Sequence, residues 1–229
     1  MKDYLASNAK YWSKGFNAPS VDQAIFRFYG RILKPEFNLS GKEHEAILDF
    51  GCGQGAAVNF FHLHGFETFG VDSSLVDIDV AKARYSYLQS HFKVIDPDPL
   101  EGDVFFDRQF HVVVAVHSLY YLSATDLEIR LRSLYSMLGP GGIIYASMIG
   151  TQETDYYFNS EEAYDGLRKV CLKTGRLDID GCYMNFTSDE DELRRKFHMF
   201  RPRHVGFISE RYRSDEAPGF HFLFVGVKE

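Results

Sequence analysis

The sequence contains few cysteines and no long apolar run, and each shortage excludes a class of protein. Only three cysteines occur among the 229 residues, and they lack the Cys-x-x-Cys spacing. Neither a disulfide framework nor a zinc site is therefore expected. No stretch approaches the roughly 18 apolar residues of a membrane-spanning helix, and the first residues lack the apolar run of a signal peptide. We expect a cytoplasmic protein with no metal site and no membrane partner.

Positive charge is also scarce. Lysine and arginine number 25 against 32 acidic residues, which gives a net charge of −7. Because nucleic-acid binding requires a basic surface, this balance argues against a nucleic-acid partner. Hydrophobic residues make up 45% of the chain and charged residues 25%, so a large core can form and disorder is not expected.

Short apolar strands and amphipathic helices alternate between residues 46 and 148. The predicted strands cover residues 46–50, 67–71, 92–95, 110–116 and 143–148. The predicted helices cover residues 56–64, 75–90 and 125–138, the last with a capping box at Thr125 and Glu128. Such alternation predicts an α/β fold, a parallel sheet with helices on both faces. An earlier helix over residues 21–33 should end at Pro35.

The alternation stops after residue 150. Residues 151–187 are aromatic and irregular, and residues 188–200 are again helical. Two strands, 204–209 and 220–227, follow, and the connection between them is too short for a helical crossover. They should therefore be antiparallel. We predict one domain over residues 1–229, with a helical N-terminal part over 1–45 and an insertion over 151–187.

The most informative segment is the turn after the first predicted strand, ILDFGCGQG over residues 47–55. A glycine-rich turn between a strand and a helix lets the backbone approach a ligand, and side chains at Gly51 and Gly53 would obstruct that approach. The helix N-terminus favours an anionic group. Asp72, after the second strand, can accept hydrogen bonds from two ribose hydroxyls. The segment predicts a ligand that contains a nucleoside.

Two ligand classes fit this turn. Gly51, Gly53 and Ala56 match the looser dinucleotide fingerprint of nicotinamide-dependent reductases. Asp49, two residues before the first glycine, favours a ligand with an ammonium group, because its carboxylate would repel a pyrophosphate. The predicted antiparallel tail is not required by the nucleotide fold, and no Tyr-x-x-x-Lys pair occurs. The balance therefore favours the amino-acid-bearing nucleoside.

Four motifs, in order, resemble those of the class I S-adenosylmethionine-dependent methyltransferases. They are residues 48–55 (LDFGCGQG), 71–74 (VDSS), 110–122 and 138–142 (LGPGG). The resemblance covers about residues 46–148, and the tail fits the family's last two strands. It implies a doubly wound, mostly parallel seven-stranded sheet with an antiparallel last strand. It also implies that S-adenosylmethionine is the cofactor and binds over the carboxyl ends of the first strands.

The resemblance also assigns residues to the cofactor. It implies that the turn lines the methionine part, that Asp72 binds the ribose and that Ser73 lies beside the adenine. The acid at the adenine amino group could be Asp96 or Asp98, and we favour Asp98. The expected cofactor-binding residues are therefore Asp49, Gly51, Cys52, Gly53, Asp72, Ser73, Asp98 and Val116. Residues 1–45 should form a lid over the cofactor.

His117 is the candidate catalytic residue. Methyl transfer from a sulfonium is an in-line displacement, so the protein mainly aligns donor and acceptor. Only an acceptor atom that carries a proton at neutral pH needs a base. The resemblance places His117 under the sulfonium with Val116, and the ordinary pKa of a histidine, about 6.5, suits a base. The alternative is a polar residue that lines the site and is hydrogen-bonded to backbone.

The predicted function is methyl transfer to an O or N atom of a small molecule, with residues 151–187 forming the acceptor pocket. A sugar, a glycan precursor or a secondary metabolite all remain open as acceptors. The alternatives are a nicotinamide-dependent reductase and a scaffold protein that binds the cofactor without catalysis. The sequence makes no prediction about oligomeric state.

Overall fold

The centre of the protein is one seven-stranded sheet, seen in a computed structural model that describes residues 2–13, 20–172, 179–215 and 217–229. Its strands are β1 (Ala46–Phe50), β2 (Glu67–Asp72), β3 (Phe92–Val94), β4 (Phe110–Ala115), β5 (Leu138–Ile149), β9 (Arg201–Glu210) and β10 (Gly219–Val227). Their order is β3-β2-β1-β4-β5-β10-β9. Strands β1 to β5 pair in parallel, whereas β10 is antiparallel to both β5 and β9. The predicted sheet and its antiparallel last strand are confirmed.

Helices cover both faces of this sheet. They are α1 (Asp3–Trp12), α2 (Gln23–Phe28), α3 (Lys34–Phe37), α4 (Ala56–Leu63), α5 (Leu75–Arg84), α6 (Ala124–Met137), α7 (Thr154–Phe158) and α8 (Glu190–Lys196). Successive strand residues point to opposite faces. Accordingly, Leu48 and Val113 belong to one buried cluster, and Ile47 and Val112 belong to another. Burial on both faces explains why these strands are apolar without alternation.

The sequence predicted that the helical segment before β1 ends at Pro35. In the structure, the segment continues past this residue. After α2 the chain forms one π-helical stretch, Tyr29–Leu33, and α3 then continues to Phe37. Pro35 lies in the first turn of α3, where a missing backbone N–H is tolerated. Asn38 ends the segment in a left-handed conformation with φ of 55°.

Two further boundaries differ from the sequence prediction. The N-cap of α6 is Ser123, whose hydroxyl accepts a hydrogen bond from the N–H of Asp126 at 3.3 Å. Ser123 stands in an extended conformation, which an N-cap requires, whereas Thr125 is already helical. Strand β5, predicted over residues 143–148, already begins at Leu138, and its register along β4 shifts between Phe110 and Val112.

The segment 151–187 contains α7 and a separate three-stranded antiparallel sheet. Its strands are β6 (Ser160–Glu162), β7 (Arg168–Val170) and β8 (Tyr183–Met184). Residues 173–178 of the predicted insertion and 14–19 of the predicted lid lie outside the described residues. Within the described ranges, no helix combines the length and the apolar character that crossing a membrane requires.

Candidate cofactor and acceptor site

A cavity of about 820 Å³ opens at the carboxyl ends of β1, β2 and β4. This volume lies within the range of about 300–1,000 Å³ that is usual for small-ligand sites. The glycine-loop end is lined by Asp49, Gly51, Cys52, Gly53, Asp72, Ser73 and Asp96. The histidine end is lined by Asp22, Val116, His117, Ser147, Glu210 and His221. Seven of the eight predicted cofactor-binding residues therefore line this cavity, together with His117.

The backbone amides of the glycine loop are bonded within the protein. The N–H groups of Gly51 and Cys52 donate to the carbonyl of Val71, at 2.8 and 3.0 Å. The N–H of Gly53 donates to Asp72 Oδ2 at 2.8 Å. A pyrophosphate bound at such a loop relies on free amide donors, and three of these donors are already engaged. The loop geometry therefore disfavours a dinucleotide.

Glycine is required at position 51 by a neighbouring residue of the protein. The sequence analysis had attributed this requirement to the approach of a ligand. A Cβ at Gly51 would lie 2.3 Å from the Cβ of Ser118, and the φ angle is 76°. Ser118 is fixed because its hydroxyl donates to the carbonyl of Phe50 at 2.9 Å. At Gly53, with φ of 49°, an added Cβ would meet nothing within 4 Å. Only Gly53 thus leaves open space for a ligand beside the loop.

Asp72 is held in place by two backbone amides. Its Oδ1 accepts from the N–H of Ser74 and its Oδ2 from the N–H of Gly53, both at 2.8 Å. Each carboxylate oxygen retains a further acceptor position. Burial raises the pKa of this carboxyl, whereas the bonds from the two amides lower it. The side chain is fixed at the cavity wall and can still accept hydroxyl donors.

Asp49 is a buried carboxyl group at the glycine-loop end of the cavity. It is 5% exposed and lines the cavity. The part of the chain that the structure describes gives it no hydrogen-bond or ion-pair partner. Burial raises its pKa to about 7, and the neighbouring charge of Asp72 adds to the rise. A cation in the cavity next to Asp49 would stabilise the ionised form.

The two acids that the sequence offered for the adenine contact, Asp96 and the favoured Asp98, differ in their position relative to the cavity. Asp96 lines the cavity, whereas Asp98 is not among its lining residues. The carboxylate of Asp98 lies 3.1 Å from Lys2 Nζ. The N–H of Asp98 also donates to Asp96 Oδ1 at 2.9 Å. Asp96 therefore lines the cavity, whereas the carboxylate of Asp98 pairs with Lys2.

Cys52 and Trp12 complete the glycine-loop end. Burial, together with the charges of Asp72 and Asp49, raises the pKa of the Cys52 thiol well above its ordinary value, so it remains protonated and unreactive. Trp12, the last residue of α1, lines the cavity and packs edge-on against Tyr121, with ring centroids 5.5 Å apart. Helix α1 therefore contributes one wall of the cavity through Trp12.

His117 lies at the opposite end, directly after β4. Its Nε2 lies 3.4 Å from Asp22 Oδ2, and its backbone N–H donates to Ser147 Oγ at 2.8 Å. The ring packs edge-on against His221, with centroids 4.4 Å apart. Sequence reasoning identified His117 and missed Asp22, Ser147 and His221. No local signal marks these three, because they come from α2, β5 and β10 and meet only in the folded chain.

The described residues of the segment 151–187 do not line the cavity, in contrast to the sequence expectation. Instead, the N–H of Asn185 donates to the carbonyl of Tyr120 at 2.7 Å, and its Nδ2 donates to the carbonyl of Leu122 at 3.2 Å. The described part of the segment thus supports the wall from behind, because these bonds hold the loop that follows His117.

A comparison with protein families decides the identity. A family model described as a methyltransferase domain matches residues 21–215. The chain belongs to the class I S-adenosylmethionine-dependent methyltransferases. A relative, the carboxy-S-adenosyl-L-methionine synthase of Photobacterium profundum, is 28% identical over 130 residues, which cover 54% of this chain and 50% of that protein. The chain therefore spans about half the length of this curated relative.

Solved structures of other methyltransferases share the fold. A Methanosarcina mazei S-adenosylmethionine-dependent methyltransferase has a TM-score of 0.65 at 18% identity, over 85% of this chain and 97% of that one. The Burkholderia thailandensis 1,6-didemethyltoxoflavin-N1-methyltransferase, solved with its substrate and S-adenosylhomocysteine, has a TM-score of 0.63 at 14% identity. That match covers 99% of this chain and 89% of the neighbour.

The family's cofactor, S-adenosylmethionine, fits the chemistry of the cavity. It carries an ammonium and a sulfonium, and the glycine-loop end presents Asp49 without a partner among the described residues. Asp72 and Asp96 add acceptor oxygens to the same end. The only lysine or arginine among the lining residues in the described ranges is Arg130, whose guanidinium pairs with Asp103 at 3.0 Å. The cavity is therefore complementary to a cation.

Proposed function

We propose that this methyltransferase transfers a methyl group from S-adenosylmethionine to an O or N atom of a small molecule. The observation that carries the proposal is the buried carboxylate of Asp49 in a cavity lined by acids. A buried carboxylate without a partner is costly to the fold. A ligand that carries an ammonium group compensates this cost, whereas a diphosphate would add to it.

Each lining residue of the glycine-loop end has a proposed role toward the cofactor. Asp49 binds the ammonium group, and the backbone of Gly51, Cys52 and Gly53 lines the methionine part. Asp72 accepts hydrogen bonds from the ribose hydroxyls and Ser73 lies beside the adenine. Support for these roles comes from the acceptor positions left on Asp72 and the open space beside Gly53. We propose Asp96, in place of Asp98, at the adenine amino group.

The histidine end holds the acceptor and removes its proton. When bound, the cofactor supplies a methyl group on a sulfonium, which is already activated for displacement. The protein's part is to hold the acceptor in line, and alignment of this kind lowers a barrier by roughly 7–11 kcal/mol. Val116 forms an apolar part of the wall beside the reacting centre. His117 accepts the proton of the acceptor.

The size and position of the cavity favour a small acceptor. The histidine end is continuous with the glycine-loop end, so both ligands occupy one cavity of about 820 Å³. The Burkholderia neighbour was solved with a small-molecule substrate beside S-adenosylhomocysteine. We extend this arrangement to the present chain by its shared fold, and propose neither a nucleic-acid nor a membrane partner. A cytoplasmic location also stays a prediction.

Synthesis of carboxy-S-adenosylmethionine, named for the Photobacterium relative, is less well supported. A product with an extra carboxylate next to the sulfur calls for a cation opposite that position. In the described chain, the histidine end contains no lysine or arginine among its lining residues. Arg130 is engaged by Asp103 and by the carbonyl of Asp96 at 3.3 Å. We therefore propose transfer of an unmodified methyl group.

We also propose that residues 1–229 act as one domain, with residues 1–45 as a lid. Trp12 at the cavity and the hydrogen bond from Ser74 Oγ to its carbonyl, at 3.4 Å, support the lid. The acceptor role predicted for 151–187 is replaced by a supporting role, because its described residues lie behind the cavity wall.

Thermal-shift measurements test the cofactor, and a methyl-transfer screen tests the reaction. We expect S-adenosylhomocysteine to raise the melting temperature and NADH to leave it unchanged. With tritium-labelled S-adenosylmethionine, we expect label in at least one pool of small hydroxyl or amine compounds. Stabilisation by NADH alone would reject the proposal. Binding without label transfer to any pool would instead indicate a protein that binds the cofactor and does not catalyse.

A further inference from the structure

Three separate elements converge on His117 and fix its orientation. Its φ angle is 56°, a left-handed value that is uncommon for a residue with a side chain. The bond from its N–H to Ser147 Oγ ties this backbone to β5. Asp22 from the start of α2 and His221 from β10 contact the ring. The imidazole is nevertheless 41% exposed, so a ligand in the cavity can reach it.

Asp22 is itself placed by helix geometry. It is the N-cap of α2, and its Oδ1 accepts from the N–H of Ala24 at 2.7 Å. The carbonyl of Ala24 accepts the hydroxyl proton of Tyr145, at 3.2 Å, which anchors the start of α2 to the sheet. One carboxylate oxygen thus caps the helix and the other faces His117. Hydrogen bonding and charge from His117 lower the pKa of Asp22, so the carboxylate is ionised at neutral pH.

His221 cannot share the proton that His117 accepts. Its Nε2 is buried and has no hydrogen-bond partner among the described residues. Burial, together with the charge of the neighbouring His117, lowers its pKa to about 3. A neutral His221 therefore packs against the ring of His117 without competing for a proton. With Nε2 facing Asp22, Nδ1 of His117 is the ring nitrogen that has no partner in the described structure.

We propose that Asp22 is the positioning residue that makes His117 a base, and that the acceptor atom carries a proton at neutral pH. The acceptor is thus a hydroxyl or an ammonium compound, rather than a thiolate or a carboxylate. The inference rests on the proposed function and specifies its acceptor. As the acceptor's O or N forms its bond to the methyl carbon, the C–S bond breaks and sulfur keeps the electron pair. The acceptor's proton passes to Nδ1 of His117, as the bond forms for a hydroxyl and before it forms for an ammonium, whose nitrogen gains its lone pair only when the proton leaves. Asp22 compensates the resulting imidazolium.

The charge of the histidine end agrees with this acceptor class. Asp22 and Glu210 are acidic, and the described lining of this end contains no lysine or arginine. An anionic acceptor would meet two carboxylates and gain no cation. A neutral hydroxyl meets no such penalty, and an ammonium compound is attracted.

Carbon-13 NMR of the Asp22 carboxyl tests the pairing without any acceptor. In the protein saturated with S-adenosylhomocysteine, we expect the titration midpoint of Asp22 to rise by about one pH unit in His117→Phe, because the partner is lost. Glu210 lines the same end of the cavity and is present in both proteins. The described groups that interact electrostatically with Asp22, besides His117, are His221 and Tyr145. Burial holds both neutral above pH 4, so neither obscures the change. An identical midpoint in the two proteins would overturn the pairing.

Steady-state kinetics then test whether Asp22 acts through His117. Pools of alcohols and phenols, amines, thiols and carboxylic acids are offered with tritium-labelled S-adenosylmethionine. We expect turnover of hydroxyl or amine compounds, with kcat about 10²-fold lower in His117→Gln and about 10-fold lower in Asp22→Asn. The double variant should be no slower than His117→Gln, because Asp22 acts only on that ring.

Asp189→Asn is the matched control. Asp189 caps α8 as Asp22 caps α2, with its Oδ1 accepting from the N–H of Glu192 at 2.8 Å. Asparagine caps a helix as well as aspartate does, so neither Asn variant should unfold more easily. Equal kcat in native protein and Asp22→Asn, additive effects in the double variant, or turnover of thiols and carboxylates alone would overturn the inference. If the native protein does not bind S-adenosylhomocysteine, the proposed function is instead refuted.

Discussion

The two ends of the cavity are built in different ways. The glycine-loop end comes mostly from one continuous segment, residues 49–73, in which β1 and β2 are adjacent parallel strands. The histidine end combines α2, the residues after β4, and strands β5, β9 and β10. A continuous segment can be specified by local sequence, whereas a composite surface depends on the whole fold. Substitutions should therefore separate cofactor binding at one end from acceptor chemistry at the other.

The largest effect is expected from Gly51→Ala. The new Cβ would lie 2.3 Å from Ser118 Cβ in a left-handed backbone, so we expect the free energy of unfolding to fall by about 3 kcal/mol. Gly53→Ala, whose Cβ meets no atom within 4 Å, should cost about 1 kcal/mol and weaken S-adenosylhomocysteine binding. Urea denaturation and calorimetry measure the two quantities. Equal stability losses would show that Ser118 does not constrain the loop.

The next largest effect is expected from Asp49→Asn, which should weaken binding and strengthen the fold. The amide cannot pair ionically with an ammonium group, so we expect the affinity for S-adenosylhomocysteine to fall roughly 10- to 100-fold. Removal of a buried carboxylate should raise the free energy of unfolding at pH 8 by roughly 1–3 kcal/mol.

The sign of this change in the free energy of unfolding follows from proton binding by Asp49. Burial raises the pKa of Asp49 to about 7 in the folded state, above its unfolded value of about 4. The folded protein therefore binds the proton more tightly, and stability falls as pH rises from about 4 to 7. Glu153→Gln is the control, because burial also raises the pKa of Glu153 to about 7 and this residue lies outside the cavity lining. It should gain stability above pH 7 and keep its affinity.

Asp72→Ala should lower the affinity for S-adenosylhomocysteine by about tenfold, slightly more than 1 kcal/mol, because charge-assisted hydrogen bonds to the ribose are lost. Its carboxylate also organises the loop through Gly53 and Ser74. Binding of 2′-deoxy-S-adenosylhomocysteine separates the two effects. If Asp72 contacts the ribose, this analogue should lose less affinity in the variant than the parent compound does. Equal losses for both compounds would assign Asp72 to loop structure alone.

A smaller effect distinguishes the two neighbouring acids of the turn after β3. We expect Asp96→Ala to lower the affinity for S-adenosylhomocysteine about fivefold, since one hydrogen bond to the adenine amino group is lost. Asp98→Ala should change the affinity less than twofold, because its carboxylate pairs with Lys2 away from the cavity. Isothermal titration calorimetry of both variants decides between them, and a larger loss in Asp98→Ala would restore the sequence preference.

The smallest effect on cofactor binding is expected at the histidine end. His117→Ala should leave the affinity for S-adenosylhomocysteine within about twofold while it depresses turnover. Calorimetry and the labelled methyl assay, run on the same preparation, provide both readouts. A large loss of affinity would show that the two ends are not separable.

Local sequence predicted the strands and the loop between them well. Strand β1 and the start of α4 lie where the sequence placed them, because apolar runs and glycines mark both boundaries. Pro35 was misleading, since a π-helical stretch moved it into the first turn of a new helix. The cap of α6 shifted to Ser123 because its backbone is extended there. Such choices depend on backbone conformation, and residue type alone does not determine it.

The residues that surround His117 at the histidine end of the cavity could not be predicted from the sequence. The sequence placed Asp22 inside the helix predicted over residues 21–33 and His221 inside the strand predicted over residues 220–227, and neither position indicated a site residue. Their contact with His117 depends on the order of the sheet, in which β10 lies beside β5. The choice between Asp96 and Asp98 likewise depends on Lys2, which α1 brings to the turn. In each case long-range contacts decide which of several polar residues faces the cavity.

We propose that the glycine-loop end binds, through Asp49, a nucleoside that carries an ammonium group. Isothermal titration calorimetry of the native protein with S-adenosylhomocysteine, between pH 5.5 and 8.5, tests it directly. We predict binding that is tightest above pH 7 and weakens as pH falls through about 7, with a pH dependence that Asp49→Asn abolishes. Absence of binding heat from folded protein, or the same pH dependence in both proteins, would contradict the claim.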